Sequence, residues 1–148
     1  METLHEAKAK PKSAYEKAAG MSYFPRMLDK IRLHARGELH PDFHANLGLA
    51  IGADGFCCRF LRVAYSDLKA RVLEGGTDEE ILQWCFEKGR TLDETDLIIW
   101  NEFCRKMGWN DRAARLLHKL KTKSGLAHRE DIVTMVDYFD VDEGRKPK

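Results

Sequence analysis

The chain has 148 residues, of which 43% are hydrophobic and 33% charged. This length and mixture are typical of one folded domain and exclude a largely disordered protein. The formal net charge of +1 gives no overall attraction to nucleic acid or membranes. The longest nearly apolar run, LGLAIGA at 47–53, is too short to span a bilayer. No signal-peptide pattern is present at the start, so we expect a cytoplasmic protein with its four cysteines reduced.

The apolar pattern divides the chain into three parts. Residues 1–20 have little apolar periodicity, and we interpret them as a flexible N-terminal arm. Residues 21–142 form the predicted single all-α domain, and residues 143–148 form a C-terminal tail.

The first half of the predicted domain contains four helical stretches. In FPRMLDKIRLHARG, Pro25 suits a first helical turn and Gly37 suits a helix end. A short helix follows at DGFCCRFL, with Asp54 or Gly55 as its cap. Ser66 then caps SDLKARVLEGG. The last two stretches are separated by glycines, and GTDEEILQWCFEKG carries a capping box formed by Thr77 and Glu80.

Three further helices are predicted in the second half. In DETDLIIWNEFCRKMG, an apolar stripe runs along one face and Ile98 and Ile99 broaden the arc that we expect to be buried. NDRAARLLHKLKTKSG opens on an Asn110 cap and buries Leu116 among other leucines, and REDIVTMVDYFDVDEG closes the series. Since strand-like alternation is nearly absent, the sequence predicts an all-α fold. We expect a compact single-domain bundle of six or seven short helices with flexible termini.

Several stretches together resemble one known family. They are PRMLDKIRLHARG, GADGFCCRFL, GGTDEEILQWCFEKGR, WNEFCRKMGWND, LKTKSGLAHREDI and DYFDVDEGR. In combination they are similar to the bacterial family called domain of unknown function DUF5069, from about residue 24 to residue 145. The resemblance implies a small single-domain bacterial protein, and it implies no activity, substrate or catalytic residue.

Histidines and cysteines suggest a first kind of site. His40 and His44 have the H-x₃-H spacing that places two imidazoles on one helical face, and a metal site could add one thiolate from Cys57 or Cys58. His34 ends the preceding helix, and we expect it to lie apart from this pair. Adjacent cysteines point about 100° apart on a helix, so only one of them could join the histidines. No bound cofactor is predicted.

The same cysteines suggest thiol chemistry as an alternative. Cys57 and Cys58 fall in the first turn of a predicted helix, where the helix dipole and Arg59 favour a thiolate. A histidine folded back onto them would make a nucleophile–base pair. The competing interpretation is that both cysteines are small buried hydrophobic residues, since no oxyanion donor or orienting third group can be named.

Charge is distributed unevenly along the second half of the chain. Residues 78–102 contain eight acids and two bases, whereas residues 105–129 contain eight bases and one acid. On the helix after Asn110, a basic stripe formed by Arg112, Arg115 and Lys119 lies opposite the leucines. It could bind a protein partner or the acidic half of a second copy, or it could be a solvated helix face. Nucleic acid is the weaker alternative, because no helix-turn-helix or interleaved aromatic residue supports it.

The sequence therefore predicts a cytoplasmic protein- or ligand-interaction module that acts by binding rather than by catalysis. The alternative is a small enzyme, with or without a metal ion, that uses the region of His40, His44, Cys57 and Cys58. No membrane association is predicted.

Overall fold

The computed structural model describes residues 9–148. Within that part, the chain forms seven α-helices, one 3-10 helix and a two-strand hairpin. The α-helices are α1 (Phe24–Ala35), α2 (Ala53–Leu61), α3 (Tyr65–Leu73), α4 (Asp78–Lys88), α5 (Glu94–Lys106), α6 (Ala114–Lys123) and α7 (Met135–Asp142). The strands β1 (Lys17–Ala18) and β2 (Met21–Ser22) pair antiparallel just before α1, and the 3-10 helix Pro41–Asn46 lies between α1 and α2. The predicted all-α fold of short helices is confirmed.

Two helices begin with reciprocal capping hydrogen bonds. Thr77 Oγ1 accepts from the Glu80 N–H at 3.1 Å, and Glu80 Oε1 accepts from the Thr77 N–H at 3.1 Å. This is the capping box that the sequence predicts for α4. A second box, which we did not predict, starts α5 through Asp93 and Asp96. The two capping boxes fix where α4 and α5 begin.

Other helices begin later or earlier than predicted. α6 begins at Ala114, four residues after Asn110, which has a positive φ of 48°. The Asp111 carboxylate accepts from the Gly108 N–H at 3.0 Å and from the Ala113 N–H at 2.9 Å, so a side-chain-bonded turn replaces the expected first turn. α3 starts at Tyr65 with Ala64 as its N-cap, so the predicted Ser66 cap is wrong.

The core consists of two buried clusters. The larger one is formed by the hairpin and α1 to α5, and Met21, Phe24 and Leu28 lie at its centre with no exposed surface. The smaller one joins the end of α5 to α6 and α7, with Leu117 and Met135 among its members. α6 therefore packs at the edge of the domain and leaves one side open to solvent.

Residues 9–20 pack against the helices of the domain. Pro11, Ala14 and Ala18 are buried, and the β2 strand that follows accepts a 2.8 Å hydrogen bond at the Ser22 carbonyl from Trp100 Nε1. Proline and small residues produce no apolar periodicity, which is why the sequence suggested an arm here. The first eight residues of that predicted arm lie outside the described residues.

The two ends of the described chain meet. Lys10 Nζ donates to the Glu143 carbonyl at 2.6 Å, and Ser13 Oγ donates to Asp140 at 2.8 Å. Glu143, the first residue of the predicted C-terminal tail, is itself buried. The chain positions that the sequence assigned to the two tails thus pack on each other, while the exact domain boundaries stay a prediction. In residues 9–148, none of the helices has the length and apolar character needed to cross a membrane.

Candidate functional site

The histidines of the 34–44 stretch pair differently from the predicted arrangement. The His34 and His44 rings meet edge-on with their centroids 4.9 Å apart, so the expectation that His34 lies apart is wrong. His44 Nε2 is 3.1 Å from the Leu39 carbonyl oxygen. His40 instead accepts the Asp42 N–H at Nδ1 and lies edge-on to Phe43. His34 and His44 are both exposed, so their contact is a surface contact.

Cys57 and Cys58 are the fifth and sixth residues of α2, beyond the first turn in which they were predicted, and both are buried in the larger core cluster. Burial raises the pKa of the Cys57 thiol well above its usual value, and the neighbouring Cys58 adds to the shift. Burial also raises the pKa of Cys58 to about 12, and the Asp54 charge adds to this rise. Arg59 lowers the pKa of Cys58, as predicted, but its effect is smaller than the other two. The reactive-thiol hypothesis stays a prediction, and its expected thiolate is opposed by desolvation.

The metal hypothesis needs three or more ligands around one point. Within residues 9–148, no group of three or more histidine, cysteine, aspartate or glutamate side chains has that arrangement. All four cysteines are free and buried. A site that used His40 and His44 would therefore require further ligands from outside the described part of the chain.

A buried polar cluster around Asp54 was not predicted from the sequence. The Asp54 carboxylate accepts from Tyr23 Oη at 2.7 Å, lies 2.9 Å from Lys30 Nζ, and accepts from the Gly48 N–H at 2.9 Å. Lys30 Nζ also donates to Tyr23 Oη at 3.1 Å. Asp54 or Gly55 was expected to cap α2, but Gly52 occupies the cap position. Only the acidic residue in a first helical turn could have signalled this cluster, and that signal favours an exposed position equally.

The buried cluster is closed and electrically balanced. Burial raises the pKa of Tyr23, and the adjacent Asp54 charge raises it further, so the phenol keeps its proton. Burial lowers the pKa of Lys30, although Asp54 opposes that shift. Among the described residues, every buried side-chain nitrogen and oxygen has a hydrogen-bond partner. The hydrogen bonds of the cluster join α1 to the start of α2 and to the connection before it.

A second buried ion pair lies one helical turn from Lys30, on the same face of α1. Arg26 donates to both carboxylate oxygens of Glu143 at 2.8 and 2.7 Å, and both side chains are 3% exposed. Arg145 donates to the same carboxylate and to the Pro11 carbonyl. This bidentate pair joins the first helix to the chain directly after α7.

The basic residues predicted as a site lie on and just before α6: Arg115 and Lys119 are on the open side of the helix, whereas Arg112 lies in the turn that precedes it. Arg112, Arg115 and Lys119 are exposed, and no hydrogen bond or ion pair joins their side chains to another group in residues 9–148. Leu116, which we expected in the core, lies among them and is 50% exposed. We call Arg112, Arg115, Leu116 and Lys119 the basic face. It combines three unpaired cations with one exposed leucine.

Lys121 shows how the opposite side of α6 is attached. Its Nζ donates to the Arg129 carbonyl at 2.6 Å and to the Ile132 carbonyl at 2.9 Å. Leu117 is buried beside it. This lysine belongs to the run of bases in the sequence, but it ties α6 to the loop before α7. Anchoring on this side leaves the basic face turned away from the domain.

The acidic residues predicted in the other half of the charge pattern lie mainly on α4 and α5. A shallow groove of about 480 Å³ along α3 and α4 is lined by polar, mostly charged side chains and one partly buried aromatic residue: Arg71, Glu79, Glu80, Gln83, Trp84 and Glu87. Asp78 is instead paired with Arg32 at 2.6 Å. The acidic part of the sequence therefore forms α4 and most of α5, whereas the basic part forms the end of α5 and α6.

The comparisons identify a family for the chain. No curated protein matches it. A family model described as "Domain of unknown function" matches residues 8–145, which include both buried ion pairs and the basic face. The chain therefore belongs to the family DUF5069, as its helical motifs suggested.

Proposed function

We propose that the protein is a cytoplasmic interaction module that binds an acidic partner protein through the basic face of α6. The observation that carries this function is the group of three exposed cations with no intramolecular partner in the described chain, arranged around an exposed leucine. Unpaired charges of one sign steer a partner of the opposite sign and set its orientation. Support for the cytoplasm comes from four free thiols, which are typical of reducing compartments.

Leu116 favours a protein partner over nucleic acid. A phosphate backbone is bound by cations and polar groups, whereas a half-exposed leucine at the centre of the face gains nothing from that contact. Protein interfaces place apolar and aromatic anchors inside a charged rim. Trp109, which is 59% exposed and precedes α6, supplies a candidate aromatic anchor close in sequence. The partner that fits best is an amphipathic segment with acidic residues beside an apolar stripe.

A labelled synthetic peptide can test this function. The probe is a helical peptide with glutamates flanking a leucine stripe, compared with a peptide of the same charge without leucines and with a DNA duplex. We expect the leucine-bearing peptide to bind most tightly and to weaken as salt increases. Fluorescence anisotropy gives the Kd for each probe.

The matched variants locate the site. Arg112→Glu combined with Arg115→Glu should raise the Kd of the leucine-bearing peptide about tenfold or more, because two attractions become repulsions. Lys69→Glu, an exposed lysine of α3, should change it little. Equal effects of the α6 and α3 variants would refute the assignment. Tighter binding of the duplex than of either peptide would replace it with the nucleic-acid alternative.

A further inference from the structure

α5 presents isoleucines to solvent. Ile98 and Ile99 are 56% and 57% exposed, although the apolar spacing predicted that both would widen the buried arc. The side that does pack in the core is formed by Trp100 and Cys104. Two adjacent β-branched residues on the open side of a helix are unusual for a surface that meets only water.

The apolar surface continues from α5 onto α2. Phe103 is 39% exposed, and its ring lies 6.0 Å from that of Phe56, which is 38% exposed. On the inner side, Phe103 contacts Trp100 with a centroid distance of 5.5 Å, so its position is fixed by the core. We call Ile98, Ile99, Phe103 and Phe56 the α5 face. A rigid aromatic and aliphatic patch is the composition of an interface centre.

The charges around the α5 face are arranged along the helix. Glu94 lies in the first turn, and Arg105 and Lys106 lie in the last. Glu102 lies between them and contacts both cations, with Arg105 Nη1 at 3.6 Å and Lys106 Nζ at 3.5 Å. These pairs are exposed and therefore weak enough to exchange partners. The third acid of α5, Asp96, is paired with Arg90 at 3.6 Å, so the remaining two acids and two bases leave the face neutral but polarised from one end to the other.

The distribution of charge along α5 indicates which partner can bind the α5 face. A uniformly acidic or basic partner would meet an unfavourable charge at one end of α5. A second α5 in antiparallel orientation brings Glu94 of each copy against the basic last turn of the other. The two helix dipoles are then antiparallel, which is also favourable. Residues 94 and 106 are separated by about 18 Å along the helix, so both charge contacts flank one apolar centre.

We propose that two copies of this chain form a two-fold symmetric dimer through antiparallel α5 helices. The isoleucines and Phe103 form the centre of the contact, and Glu94 meets Lys106 of the other copy at each end. Such an interface is self-complementary and closes at two subunits. The basic face lies on a different helix, α6, so dimer formation and peptide binding are separable properties.

The oligomeric state of the full chain tests the dimer. Sedimentation velocity over a range of concentrations should give a monomer–dimer equilibrium that weakens with salt. Ile98→Lys combined with Ile99→Lys should raise the dimer Kd at least about tenfold. Because both positions are exposed, circular dichroism should remain that of the wild type. Leu73→Lys, a matched change at a 52% exposed leucine of α3, should leave the Kd unchanged.

A charge exchange between copies tests the orientation. Glu94→Lys alone places two like-charged contacts in the dimer, and so does Lys106→Glu alone, so each variant should dimerise about tenfold more weakly. Mixing the two variants pairs lysine with glutamate at both ends, and association should return toward the wild-type level.

Several outcomes would overturn the dimer. They are a wild-type chain that stays monomeric at every concentration, an isoleucine variant that dimerises as the wild type does, and mixed charge variants that associate no better than either alone. Arg112→Glu with Arg115→Glu should leave the dimer Kd unchanged, so failure of the peptide-binding function and failure of the dimer are distinguishable.

Discussion

At the scale of single residues, Asp54 holds three positions of the chain together. Its carboxylate contacts Tyr23 at the start of α1, Lys30 inside that helix, and the Gly48 backbone in the following connection. Asp54 and Lys30 are 2% and 3% exposed, so each charge depends on the other for compensation. A buried pair of this kind is costly to form, and removing one partner costs more than removing both.

Replacing Asp54 with asparagine should therefore reduce the free energy of unfolding by about 3–5 kcal/mol, since the Lys30 charge would stay buried without a counter-ion. The double variant Asp54→Asn with Lys30→Met should lose less than the sum of the single changes. Urea unfolding followed by circular dichroism measures these values. Asp67→Asn, an exposed change in α3, is the control, and additive losses would contradict a coupled pair.

The buried thiols predict a loss of stability in alkali. Burial raises the pKa of Cys85 and of Cys104 to about 12. Unfolded thiols lose their protons from about pH 8.5, so above this pH the native state binds more protons than the unfolded state and stability falls as pH rises. Tyr23 acts in the same direction at higher pH, whereas the lowered pKa of Lys30 acts against it.

Urea midpoints measured between pH 8 and pH 10 should decrease for the wild type. Cys85→Ala should be less stable at every pH but should show a smaller alkaline decrease, because one shifted thiol has been removed. In the native state at pH 8, a thiol reagent should label the cysteines far more slowly than it does in urea. Rapid labelling of Cys57 or Cys58 in the native state would support the reactive-thiol hypothesis.

At the scale of helices, a side-chain cap sets where α4 begins, whereas α3 begins without one. Thr77→Ala removes the hydroxyl that accepts the Glu80 N–H, and it should cost about 1 kcal/mol. The matched control is Ser66→Ala, because the structure starts α3 one residue earlier and gives Ser66 no cap role. Thermal or urea unfolding of both variants gives the comparison. Equal losses would mean that Ser66 does cap α3 in solution.

Local signals explain which helices could be predicted. The Thr77–Glu80 box and the glycine ends are encoded within a few residues, so α4 was found with its start correct. The exposure of Ile98 and Ile99 was missed because periodicity identifies an apolar arc but cannot separate a core side from a docking side. For the same reason Leu116 was assigned to the core. Both errors fall on the two surfaces that we propose as binding faces.

At the scale of the whole molecule, the features that the sequence did not predict depend on contacts between residues far apart in the chain. The all-α class followed from repeated local patterns. The packing of residues 9–20 did not, because Ser13 meets Asp140 from 127 residues away and no local pattern marks either partner. Arg115 and Lys119 share one helix because amphipathic spacing is local, but Arg112 precedes α6, so the predicted stripe is not on a single helix. The pairing of His34 with His44 depends on how the 3-10 helix folds back.

Removing residues 1–18 should therefore destabilise the domain. The deletion exposes core surface beneath Pro11, Ala14 and Ala18 and removes the hydrogen bond to Asp140. We expect Tm to fall by about 10 °C, which corresponds to roughly 3 kcal/mol for a chain of this size. Removing residues 1–8 is the control, since it deletes none of the described contacts. Similar melting temperatures for both deletions would show that residues 9–18 add little.

The Arg26–Glu143 pair also dictates an order of events during synthesis. Its two residues are separated by 117 positions, so a ribosome adding about 5–20 residues per second makes the carboxylate roughly 6–23 s after the guanidinium. Throughout that interval α1 carries a cation whose partner does not yet exist. The nascent chain must keep this cation hydrated, and so the side of α1 that carries Arg26 closes only when α7 and Glu143 have left the ribosome.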